Sequence, residues 1–249
     1  MEACLNKNVT KFILNKAKKN DFVKLSYNKD VFKPTETSKF LLEAVVDNFP
    51  KKKVNVLDLG CGNGIIGIYL LKKFKNISNM SFSDVSGKAI TNAKQNCKLN
   101  KISQKRAQFI QSNLFNNMDG LKFDIIINDV SGISYKIARK SNWFKNIPCE
   151  SGEDGTKLTL NVIKNFRNFL KPNGKIFFPI ISFSNEKKII NYFNKSNIKV
   201  KMISVNKWPA PKEFYNHILM MKKLKKLKKI NFDEKYGLII ANTKIFQAN

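Results

Sequence analysis

Val56-Leu-Asp-Leu-Gly-Cys-Gly-Asn-Gly-Ile-Ile-Gly67 decides how this chain folds. The apolar run Val54–Leu59 has the length of a buried strand, and it meets Gly60, Gly62 and Gly64 before the helical stretch Ile65–Phe74 begins. Glycines in that position let the backbone turn sharply and approach a ligand closely at the carboxyl end of a strand. The spacing is Gly-x-Gly-x-Gly, which lacks the third interval of the dinucleotide fingerprint.

Working outward, the same rhythm continues. Met80–Ser83, Ala107–Gln111, Phe123–Asn128, Lys175–Ile181, Ile198–Val205 and Gly237–Phe246 read as strands. Gly87–Asn100, Thr156–Leu170, Glu186–Asn194 and His217–Ile230 read as helices between them. Near-continuous apolar strands alternating with helices predict an α/β fold, a parallel sheet wound on both faces. Ahead of it, Thr10–Lys19 reads as a basic helix leading into an extended piece. Thr37 or Ser38 then caps a helix through Phe40–Val46.

Composition narrows the class. With 249 residues, 43% hydrophobic and 11% aromatic, the chain can bury one sizeable core. No apolar run approaches the roughly 18 residues that span a bilayer, and Met1–Asn20 carries Lys and Asn throughout, unlike a secretory signal. The sequence therefore points to a soluble cytoplasmic protein with no membrane partner. Cys4, Cys61, Cys97 and Cys149 form no CxxC pair and His217 stands alone, which argues against a zinc site or a disulfide framework; no metal is expected. The formal charge is +28, and all but three of the 46 basic residues are lysine. That is the bias of an AT-rich genome, yet so positive a field also attracts RNA, anionic metabolites or acidic proteins.

Two acids flank the glycines. Asp58 lies two residues before Gly60, where a carboxylate can meet a cationic group; Asp84 ends the second strand, where an acid holds ribose hydroxyls. One acid for a cation and one for a ribose describe an adenosyl sulfonium better than a pyrophosphate.

The segment resembles motif I of class I S-adenosylmethionine-dependent methyltransferases. Within that superfamily the chain is most similar to the small methyltransferase group that includes the HemK-type release-factor glutamine methyltransferases. Val31-Phe-Lys-Pro-Thr-Glu-Thr-Ser38 resembles the group's lead-in, which implies that Thr35 and Thr37 close over the cofactor. Asp84-Val-Ser86 with Ala89, Ala93, Asn96 and Asn100 resembles the second motif, and Ser112-Asn-Leu-Phe115 the third, with Asn113 for the usual Asp. Glu150–Gly155 resembles the acidic glycine turn after the acceptor loop, and Leu170–Lys175 the common approach to the fifth strand. The resemblance implies a Rossmann-like, seven-stranded, mostly parallel sheet with helices on both faces and S-adenosyl-L-methionine as cofactor. Asp58, Gly60, Cys61, Gly62 and Gly64 would hold its methionine and ribose end, Asp84 and Val85 the ribose side, Asn113 and Leu114 the adenine.

Two places depart from the group. Where it has Asn or Asp, Pro, Pro and an aromatic, this chain has Asp129, Val130, Ser131 and Gly132. Asp129 and the Val130 carbonyl can still accept hydrogen bonds from a nitrogen acceptor, and Asp129 can equally serve as a general base, so Asp129, Val130 and Ser131 form the expected acceptor site. The stacking ring is missing at Gly132, with Tyr135 three residues on. Bacterial release-factor enzymes also carry a helical domain in front, whereas a basic extension of about 30 residues stands here (1–30), so that module is expected to be absent or replaced. The methyltransferase domain would span 31–249, with a lid insertion at about 206–235. There, His217–Ile230 spaces Ile218, Met221, Leu224, Leu227 and Ile230 at three-residue steps among lysines. Trp143 and Trp208 would converge with basic residues on one face. The expected reaction is methyl transfer to a nitrogen of protein glutamine or an RNA base; the alternative is an anionic or aromatic small molecule. Oligomeric state is not legible.

Overall fold

The computed structural model describes residues 9–14, 22–144, 147 and 149–249. The first strands are β1 (Val9–Ile13) and β2 (Phe22–Ser26), paired antiparallel as a separate ribbon. This corrects the helix expected at Thr10–Lys19. Phe12 packs on the main core and Leu14 is buried, so tertiary burial outweighs the local lysine-rich helix pattern; residues 15–19 of that expectation lie outside the described residues.

The rest alternates as read: α1 (Glu36–Asp47), β3 (Val54–Leu59), α2 (Ile65–Lys73), β4 (Ile77–Asp84), α3 (Gly87–Leu99), β5 (Ala107–Gln111) and β6 (Phe123–Asn128). There follow α4 (Tyr135–Ala138), α5 (Lys157–Asn165), β7 (Leu170–Ile181), α6 (Glu186–Lys195), β8 (Val200–Pro209), α7 (Ile218–Lys226), β9 (Asp233–Lys235) and β10 (Leu238–Ala248). Several boundaries moved; β8 runs on to Pro209 with Asn206–Pro209 paired to β10, so the first residues of the lid expected at about 206–235 are strand. The helix expected through Leu170 tightens into a 3-10 turn at Phe166–Phe169, and β7 begins at Leu170 through an irregular pairing with β6. The last helix stops at Lys226, and Lys228 takes a left-handed φ of 56°.

The sheet order is β5-β4-β3-β6-β7-β10-β8, with β9 added beside β10. β3 pairs parallel with β4 and β6, as do β4 with β5 and β6 with β7; β10 runs antiparallel to both β7 and β8. This is the expected seven-stranded, mostly parallel sheet. Its strand order reverses between β3 and β6, and the carboxyl ends of the strands at such a switch point are where open α/β sheets bind ligands.

Alternation along β3 shows how the two faces are filled. Val54 and Val56 join the core under α1, α2 and α3, while Leu57 and Leu59 join the core under α5 and α6. Asp58 keeps the parity of Val56 and so points toward α2. Register does the remaining positioning: Leu59 pairs with Ser83 on one side and Asn128 on the other, and Asp84 pairs with Gln111. Asp58, Asp84, Asp129 and Ser112 therefore arrive at one edge of the sheet.

Candidate active site

Gly60, Gly62 and Gly64 all have positive φ, of 76°, 52° and 82°. L side chains disfavour that region, which gives the glycine pattern its physical reason. Two contacts tighten the requirement. A Cβ on Gly60 would lie 2.9 Å from Val130 Cγ1, and one on Gly64 would lie 3.1 Å from Ala93 Cβ. The loop is thus wedged between the end of β6 and helix α3. Gly60 and Cys61 donate their N–H groups to the Ser83 carbonyl at 2.8 and 2.9 Å, and Asn96 Nδ2 donates to the Asn63 carbonyl at 2.9 Å.

Asp58 is fully buried. Its Oδ2 accepts the Gly67 N–H at 2.9 Å, while Oδ1 is buried with no hydrogen-bond partner among the described residues. Burial pushes its carboxyl up to about 8; the Gly67 N–H opposes this, and the nearby charges of Asp129 and Asp84 add to it. A buried carboxylate with one orphaned oxygen fits a cationic group. Asp84 also sits high for a carboxylate because of burial, which backbone N–H groups oppose. Its Oδ2 accepts from Gly62 N–H at 3.0 Å and its Oδ1 from Ser86 N–H at 2.9 Å, so it ties the glycine loop to the start of α3. Val85 beside it is 65% exposed, an apolar side chain turned to solvent next to Asp84.

The third strand end is looser. Ser112 N–H bonds the Asp84 carbonyl at 2.9 Å, Leu114 has a positive φ of 53°, and Asn113 is exposed. These residues share the edge with Asp84, and Asn113 has room to turn toward a ligand.

Asp129 stands on the other side of the glycine loop. Its N–H bonds the Leu59 carbonyl at 2.9 Å, and its Oδ2 accepts the Ser38 hydroxyl at 2.7 Å. Burial raises its carboxyl to about 7, with the Ser38 hydroxyl opposing. Ser131 Oγ lies 3.0 Å from Cys149 Sγ. Thr35 is the N-cap of α1 without a side-chain bond, and Thr37 Oγ1 lies 3.4 Å from Thr243 Oγ1. The cap thus lies two residues before Thr37 and three before Ser38, the two expected caps, and the hydroxyls of Thr37 and Ser38 bond residues of other elements instead. Sequence reading missed Ser38 and Thr243 as site residues; Ser38 carried only a capping signal and Thr243 carried none.

Trp143 and Trp208 do meet, with ring centroids 6.0 Å apart, and Phe214 stands edge-on to Trp143 at 5.4 Å. Trp208 Nε1 donates to Thr243 Oγ1 at 3.0 Å. Tyr135 stacks under the Arg139 guanidinium, 4.8 Å from ring to cation. Glu153, in the acidic glycine turn, pairs with Lys136 after the acceptor strand and with Lys229 after α7. An open hollow of about 720 Å³ lies beside that turn, lined in part by Gly152, Thr156, Lys157, Lys188 and Lys229.

Gly67 offers a direct check on this packing. A Cβ there would lie 2.3 Å from the Phe82 ring, which is itself stacked on Phe109. Gly67→Ala is expected to cost about 1–3 kcal/mol by overpacking, read as a lower thermal midpoint.

Comparison with known proteins follows the same lines. Residues 28–129 match the model of the methyltransferase small domain. A Methanocaldococcus jannaschii protein named as a protein N5-glutamine methyltransferase is 31% identical over 188 residues, covering 75% of this chain and 90% of that one. The chain belongs to this methyltransferase family. A release factor glutamine methyltransferase of Borreliella burgdorferi is 30% identical over 163 residues, and the methyltransferase described here spans 54% of its length. It spans 27% of the bifunctional methyltransferases of Rickettsia prowazekii and Rickettsia typhi. Among solved structures, the ribosomal protein L11 methylase of Lactobacillus delbrueckii superposes with a TM-score of 0.54 at 17% identity, covering 86% of this chain and 80% of that one, a likeness of fold. No helix of the described residues is long and apolar enough to cross a membrane.

Proposed function

We propose that this methyltransferase transfers the methyl group of S-adenosylmethionine to the side-chain amide nitrogen of a protein glutamine. One observation carries the reading: Gly60 has no room for a Cβ against Val130, so the loop proposed to hold the cofactor abuts the strand end proposed to hold the acceptor. The relatives named for glutamine methylation point to the same acceptor.

The cofactor supplies an electrophilic methyl group on a sulfonium. The work left to the chain is alignment and proton handling. Asp58 would hold the cationic methionine end with Cys61 and the glycines, Asp84 and Val85 the ribose, Asn113 and Leu114 the adenine, with Thr35 and Thr37 closing over them. An amide nitrogen is a weak nucleophile because its lone pair is delocalised. Hydrogen-bond acceptors on its N–H groups localise that pair, and the Asp129 carboxylate and Val130 carbonyl would supply them. Unlike an Asn, Asp129 can also take the proton the nitrogen sheds. Ser131 would line the same turn. Segment 206–235, with Trp208 and the lysines of α7 carried on the buried Phe214, would form the surface that receives the substrate protein.

Calorimetric titration with S-adenosylmethionine and S-adenosylhomocysteine tests the cofactor assignment. Asp84→Ala should weaken binding about tenfold or more, since hydrogen bonds to a charged group contribute roughly 1.5–3 kcal/mol. Unchanged affinity would remove Asp84 from the site. Radiolabelled transfer to protein, RNA and metabolite fractions then tests the acceptor. Label on N5-methylglutamine supports the reading; label confined to RNA or metabolites overturns it.

A further inference from the structure

We propose that Ser38 is the positioning residue of the acceptor site, its hydroxyl fixing the Asp129 carboxylate by its Oδ2 so that Oδ1 is offered to the substrate nitrogen. This rests on reading Asp129 as the acceptor-site group.

The geometry is specific. Serine in the first turn of a helix ordinarily bonds its own backbone, satisfying free N–H groups there. Ser38 instead is buried, at 3% exposure, and sends its hydroxyl to Asp129, which lies on the far side of the glycine loop in sequence. The helix that carries it is itself held rigidly: Leu41, Leu42 and Val45 are fully buried. A second tie leaves the same turn, from Thr37 to Thr243, which also receives the Trp208 indole N–H. The first turn of α1 is thereby clamped to the acceptor carboxylate at Ser38 and, through Thr243, to the Trp208 indole at Thr37.

The electrostatics agree with the geometry. Asp129 and Asp84 both add to the raised pKa of the neighbouring Asp58 carboxyl. Burial works against the charge of Asp129 itself, and the Ser38 hydroxyl is the group that favours its ionised form. Removing the hydroxyl should free the carboxylate to rotate and raise its pKa further.

The test compares Ser38→Ala and Ser38→Thr with wild type and with Asp129→Ala. The Asp129 carboxyl is titrated directly by carbon-13 NMR in cofactor-free protein, and the pH profile of kcat is recorded beside it. Ser38→Ala should move the Asp129 midpoint up by about one pH unit and cut kcat at pH 7 about tenfold. Affinity for S-adenosylmethionine should be retained, and Ser38→Thr should restore both values. If Ser38→Ala does not fold, Ser38→Cys, with its weak donor, takes its place. An unmoved midpoint with unchanged kcat overturns the proposal while Asp129→Ala remains inactive. Wild-type turnover in Asp129→Ala overturns the acceptor reading itself.

Discussion

Asp129→Ala is expected to lower kcat by roughly 10²- to 10⁴-fold, the usual worth of a positioned acid or base. Affinity for S-adenosylmethionine should stay within about twofold, because the lost interaction belongs to the acceptor side. The pH dependence sharpens this expectation. The carboxyl is raised to about 7, so below that pH it is protonated and can neither accept the substrate N–H well nor take its proton. The rate should therefore rise with pH through about 7 and level off above it. Asp129→Asn keeps a hydrogen-bond acceptor but loses the titration, so its residual rate should be flat across the same range. Single-turnover rates measured from pH 5 to 9 on the three proteins decide the point. A wild-type profile without an acidic limb would remove Asp129 from proton transfer.

The second large effect concerns Asp58. In the free protein its carboxyl is pushed up to about 8, so near neutral pH it is mostly protonated. A cationic group placed on the orphaned oxygen favours the ionised form and must expel that proton. Binding of S-adenosylmethionine should then release close to one proton at pH 6–7, and affinity should climb about tenfold per pH unit between pH 5 and 7. Titration calorimetry in two buffers of different ionisation enthalpy measures the release. Asp58→Asn should abolish both the release and the pH slope. Binding without proton release would place the cation elsewhere.

Much of this was legible in the sequence because it rests on short-range constraints. Strand length, helix periodicity and positive-φ glycines are local, and the bounds of β3, β5 and β6 came out as read. Register then brought Asp58, Asp84 and Asp129 together, as the resemblance implied. What stayed hidden was long-range. Thr10–Ile13 looks like the start of a helix until Phe22–Ser26 pairs with it. Ser38 looks like a cap until Asp129 stands opposite it. Thr243 is an ordinary strand residue until Trp208 and Thr37 converge on it from two other elements. Hydroxyls are versatile in this way: their chemistry is visible in a sequence, but their partner is chosen by the fold.

The place of β10 between β7 and β8 bears on how the chain can be made. In the sheet β8 hydrogen-bonds to β10 alone, and β10 begins only at Leu238. During synthesis β8 therefore emerges without a neighbour, and β7 stays an open edge in the meantime. At roughly 5–20 residues per second that interval lasts seconds, long compared with hairpin closure in microseconds. Through it the ribosome holds a parallel half-sheet with an unpaired edge, the kind of surface that invites chain-to-chain pairing. Closing the sheet thus waits for β10, and a chaperone that covers the edge of β7 until then would do most to keep the chain from mispairing.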